Sequence, residues 1–111
     1  MSKISEIKIL VHLDDKNIPE KIVWSATDSD IDGIKNADAM SFTLWDKDEN
    51  ITLGIDLWTK EMLLSNMNIF VQQNLLKLAD MLQRATNNFN AAEIIRKSSD
   101  ELKKILDSSR P

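Results

Sequence analysis

Apolar and polar residues alternate with a period of two through the first half of the chain, and the period turns helical after Lys60. Ile7, Ile9, Val11 and Leu13 alternate with Lys8, Leu10 and His12, and Ile22, Trp24 and Ala26 alternate with Lys21, Val23 and Ser25. Two further runs follow. Met40, Phe42 and Leu44 oppose Ser41, Thr43 and Trp45, and Leu53, Ile55 and Leu57 oppose Thr52, Gly54, Asp56 and Trp58. Each run predicts a strand with one buried face, because successive side chains point to opposite sides of a pleated sheet. Asp14-Asp15-Lys16-Asn17 and Asp46-Lys47-Asp48-Glu49-Asn50 are short polar connectors suited to turns. Thr27–Asp38, which holds Gly33, is expected as the longest loop. Short connectors favour antiparallel neighbours, so a four-stranded meander over residues 4–59 is the simplest order.

Beyond Lys60, Met67, Val71, Leu75, Leu78, Leu82 and Ala85 recur at helical spacing, widened by Phe70 and Met81. Ser65 is the expected N-cap, and Asn87-Asn88 the expected stop. A second helix is expected from Asn90, where Glu93 completes a capping-box pattern, with Ile94, Ile95, Leu102, Ile105 and Leu106 on its apolar side. The fold class expected is α+β, ββββαα, in one domain over residues 1–111 with helices over residues 65–107. The first helix is expected to lie on the face holding Ile9, Val11, Trp24, Phe42 and Ile55.

Aromatic placement departs from this pattern. Trp45 and Trp58 fall on the polar side of their strands, and a hairpin through residues 46–50 would put both rings on one face. Leu10 and Val23 are expected to add apolar area to that side, whereas Trp24 shares the Ile22 and Ala26 side and is expected in the core. Such a face suits recognition better than catalysis. The alternative is internal cover, from the C-terminal helix or from the stem of Lys8.

Composition narrows the function classes. The chain has no cysteine, so disulfides, thiolate nucleophiles and zinc-finger spacings are excluded. His12 is the one histidine, which removes histidine metal clusters and is best read as a half-exposed strand residue. With only Gly33 and Gly54, neither a P-loop nor a dinucleotide-binding loop can be written. Asp28-Ser29-Asp30-Ile31-Asp32-Gly33 opens like a calcium loop, but Ala39 stands where the bidentate glutamate is needed, so an acidic turn is expected instead. The other carboxylate groups, Asp14/Asp15 and Asp46/Asp48/Glu49, sit in solvated turns where nothing tunes them for catalysis. No catalytic residue, metal site or cofactor is expected.

Charge is uneven. Residues 1–64 carry 13 acidic and 7 basic groups, residues 65–111 carry 5 and 7, and the whole chain has a net charge of −4. Nucleic acid is disfavoured as a partner, since it requires a clustered basic surface. Mixed signs on the second helix, with Arg96, Lys97, Lys103 and Lys104 among Asp100, Glu101 and Asp107, predict a solvated face and not a membrane-binding one. No apolar leader or bilayer-length segment is seen, so a cytoplasmic location is expected.

Several motifs occur in one order: Glu6-Ile7-Lys8-Ile9, Leu13-Asp14-Asp15, Pro19-Glu20-Lys21-Ile22-Val23-Trp24-Ser25-Ala26, Leu44-Trp45-Asp46, Ile55-Asp56-Leu57-Trp58-Thr59-Lys60-Glu61-Met62 and Arg84-Ala85-Thr86. Together they resemble the GldC type of gliding-motility-associated protein, over Glu6 to Thr86. The resemblance implies a cytoplasmic accessory role in gliding motility; with the tryptophan face, the expectation is a non-enzymatic module that binds another component of that machinery as a homo-oligomer, through Trp45, Trp58, Leu10 and Val23. It brings no catalytic residues. The order of four strands followed by helices is also similar in topology to the SecB export chaperone, which makes a holdase for extended polypeptides the alternative reading.

Overall fold

A computed structural model describes residues 3–28 and 33–108. The chain forms two compact units, Met1–Met62 and Leu63–Pro111. The first is all strand and the second all helix, as the change of period after Lys60 predicts.

Among the described residues the strand unit holds five strands rather than four: β1 (Ile7–Leu13), β2 (Pro19–Ala26), β3 (Lys35–Ala37), β4 (Ala39–Asp46) and β5 (Ile51–Trp58). They do not form one four-stranded meander. β1, β2 and β3 make an antiparallel three-stranded sheet, and β4 and β5 make a separate two-stranded ribbon. The break falls at Asp38, whose flanks take different partners. Ile22 pairs with Ala37 on one side of it, and Trp58 pairs with Ala39 on the other. Asp38 itself accepts the Thr59 N–H on its carbonyl at 2.8 Å. β3 escapes a reading by periodicity because Lys-Asn-Ala has no apolar alternation.

Both turns follow from aspartate chemistry. The Asp14 carboxylate accepts the N–H groups of Lys16 and Ile18, at 2.8 and 3.0 Å, and Asn17 takes a left-handed φ of 62°. The Asp46 carboxylate accepts the N–H groups of Asp48 and Glu49, and Asn50 takes φ 56°. Asparagine tolerates this region because its short polar side chain can bond locally.

The helical unit is an antiparallel pair, α1 (Leu64–Thr86) and α2 (Phe89–Ser108). Ser65 is not the cap of α1. The helix starts one residue before it, after an extended Leu63, with no side-chain cap. Asn87 ends it in the left-handed region, donating its N–H to Gln83 O as expected. The Asn88 carboxamide oxygen then accepts the Ala91 N–H at 3.0 Å, so α2 begins before Asn90.

The helix seam is rotated from the expected stripe. Ala79, Ala92 and Ser99 are its fully buried residues, with Leu75, Leu82, Ile95 and Leu102 half-buried. These positions step by three and four along both helices, the geometry of a left-handed helix pair. Small residues at its centre let the backbones approach closely, and the Ser99 hydroxyl donates to Gln72 O across it at 3.4 Å. Arg96 bridges Asp80 on α1, at 3.0 Å, and Glu93 on its own helix, at 2.8 Å. Val71, Leu78 and Met81 of the expected stripe lie off the seam and are exposed, as are Ile94 and Ile105 of α2.

Candidate functional site

The register of β4 and β5 decides which side chains share a face. Trp45 pairs with Thr52, Thr43 with Gly54, Ser41 with Asp56 and Ala39 with Trp58, without a register shift. Directly paired residues project to the same side, so Trp45 and Trp58 stand on one face of the ribbon. They do not touch. Six positions of ladder separate them, about 20 Å at 3.3 Å per residue. Each ring faces a small partner, and between them the Ser41 hydroxyl donates to Asp56 at 2.8 Å. The face is therefore two indole anchors flanking a polar centre.

Trp45 is 63% exposed and Trp58 56% exposed. Leu10 and Val23, expected beside them, belong to the other sheet, where they pair with each other. Leu10 is 51% exposed, but Val23 is only 8% exposed and belongs to the core next to Ile22. Val23 therefore offers no surface to a partner. Trp24 is half-buried on the Ile22 side, paired with Ile9. His12 is an exposed strand residue paired with Lys21.

A polar knot holds the end of β5 beside Trp58. Thr59 is buried; its N–H donates to Asp38 O and its hydroxyl to the Asp38 carboxylate at 3.4 Å. The Lys60 N–H donates to Pro19 O at 3.0 Å, and its ammonium reaches Asp14 at 3.1 Å and Glu20 at 3.7 Å. The Ile18 amide, followed by Lys60, holds the Asp14 carboxyl below its ordinary value. Asp14 in turn raises the Lys60 ammonium above its own. Three separate motifs, Leu13-Asp14-Asp15, Pro19-Glu20 and Trp58-Thr59-Lys60, thus converge at one place. Trp58 is the exposed residue that this knot positions.

Gly54 lies midway along the tryptophan face. A Cβ there would meet Phe42 O at 3.2 Å and Thr43 Cγ2 at 3.3 Å, so close approach to β4 accounts for the glycine.

The acidic stretch Asp28–Gly33 falls largely outside the described residues. Asp28 is an exposed turn residue accepting the Ser5 hydroxyl, and Gly33 has φ 81°. Among the described residues, no group of three or more histidine, cysteine, aspartate or glutamate side chains is arranged to hold a metal ion. No helix among them is long and apolar enough to cross a membrane.

A family model described as Gliding motility-associated protein GldC-like matches residues 19–108. The matched span takes in all of α2, where the motifs gave no signal, and starts after β1. Neither the curated proteins nor the solved structures yield a match, so the likeness of element order to SecB gains no support.

Proposed function

Because the chain belongs to the GldC-like family of gliding motility-associated proteins, we propose that it is a non-enzymatic, cytoplasmic accessory protein that docks on another protein of the motility machinery. The contact face is that of Trp45 and Trp58. One observation carries this reading: two large indole rings stand exposed on one face of a regular ribbon, the chain just after the second held by the Asp14–Lys60 and Asp38–Thr59 contacts. Exposed rings of this size are costly to leave in water and are common anchors of protein interfaces. Leu10 is a third, peripheral candidate.

Cross-linking followed by pull-down from the native cell tests it. Trp58→Ala is expected to weaken capture of the specific partner by about 30-fold or more, which corresponds to roughly 2 kcal/mol for a buried aromatic anchor. His12→Ala, at an exposed strand position, is expected to leave capture unchanged. Equal capture by wild type and Trp58→Ala contradicts the reading. Capture of unfolded polypeptides in general, in place of a defined partner, favours the holdase alternative.

A further inference from the structure

The ribbon and the three-stranded sheet share no ladder, so single contacts join them. Between residues 39–60 and residues 3–37, the hydrogen bonds and ion pairs among the described residues all belong to Lys60. Its N–H donates to Pro19 O, where β2 begins, and its ammonium sits between Asp14 of the β1–β2 turn and Glu20. Toward the sheet, Thr59 reaches no farther than the bend at Asp38.

The two ends of the ribbon are closed differently. At the Trp45 end the turn closes itself, because Asp46 accepts the N–H groups of Asp48, Glu49 and Asn50. At the Trp58 end the strands part. β4 leads back through Asp38 into β3, and β5 runs on through Thr59 and Lys60 toward α1. Ladder pairs at such an open end fray first unless the residues beyond them are tied down. Lys60 supplies that tie two residues after Trp58. It ties to a turn that is itself ordered, since the Asp14 carboxylate also accepts the Lys16 and Ile18 amides.

We infer that Lys60 is a positioning residue: its ammonium, held by Asp14 and Glu20, locks the open end of the ribbon to the sheet and so fixes the place of the Trp58 ring. A lysine suits the task, as a compact point charge with three donors can serve two carboxylates that approach from different directions. All of these contacts lie within the strand unit and stand apart from what covers either face of the ribbon. The consequence for docking rests on the reading proposed above, since an anchor ordered before contact spares the complex the cost of ordering it.

Heteronuclear NMR on the full chain tests it without a partner. The chain has three tryptophans, whose indole N–H signals report Trp24, Trp45 and Trp58 separately. Lys60→Met is expected to shift or broaden the Trp58 signal and leave that of Trp45 in place. It is also expected to speed exchange of the amides at positions 59 and 60 by on the order of threefold, about what one surface ion pair supplies. The Asn87 amide, bonded within the helical unit, is the control and is expected unchanged. Asp14→Asn is expected to reproduce Lys60→Met, and Lys60→Arg, which keeps the charge, to retain the wild-type signals. A Trp58 signal and amide rates that Lys60→Met leaves unmoved overturn the inference. So does a Lys60→Met that moves Trp45 as much as Trp58, which is a general loosening of the ribbon. Gliding speed at equal abundance separates positioning from docking. Slow gliding by Trp58→Ala and Lys60→Met with normal gliding by Lys60→Arg supports both, whereas slow Trp58→Ala with normal Lys60→Met overturns the inference. Normal gliding by Trp58→Ala contradicts docking alone, and the indole signals then decide the positioning.

Discussion

At the scale of single residues, polar side chains with local duties set the geometry. Asp14 serves two backbone amides and Lys60 at once, which holds its carboxyl below the ordinary aspartate value. A carboxyl lowered by folding stabilises above its unfolded value, and that contribution disappears as pH falls through the folded value. Lys60, raised by the same contact, stabilises at pH below its ordinary value and loses this as pH rises past the folded one. Urea denaturation across pH 2–5, an acid range on the order of the aspartate pKa, is therefore expected to show a steeper loss for wild type than for Asp14→Asn. Identical slopes would remove Asp14 from the acid response. The turn role of Asp14 is legible in the sequence, but its partner is not. Lys60 is 46 residues away, and only the fold brings the two together. Val23 teaches the complementary lesson. Its position in the alternation places it on a polar side, yet it is buried, because a period of two gives the side a residue takes but not what covers that side.

At the scale of elements, the helices were legible in number, and the stop at Asn87 was legible in place. The seam was not. Leu78 and Met81 look like core by hydropathy, yet the buried positions are Ala79, Ala92 and Ser99, where small size rather than oiliness decides how close two helices come. Enlarging the centre is expected to cost more than trimming the rim. Ala79→Leu is predicted to lower stability by about 1–3 kcal/mol, the usual penalty of overpacking, while Met81→Ala stays within about 0.5 kcal/mol. Chemical denaturation followed at a helix band reads both, and a neutral Ala79→Leu would show that the seam is looser than its burial implies. The strands were legible where apolar alternation is strong. β3 was missed because three residues of Lys-Asn-Ala carry no period, and with it the split of one sheet into two.

At the scale of the whole molecule, the strand unit and the helical unit differ in architecture and in charge, and the candidate surfaces belong to the first. The ribbon carries indoles on one face and Phe42, Leu44, Leu53 and Ile55 on the other, so its strands could be read from the alternation while what covers each face could not. Membership of the gliding-motility family makes movement of the cell the readout nearest to function. The most direct measurement replaces the native gene with one encoding Trp45→Ala and Trp58→Ala and records gliding speed alongside the amount of protein. Arrested or strongly slowed gliding at wild-type abundance is the predicted result. Normal gliding with both indoles removed would contradict the account.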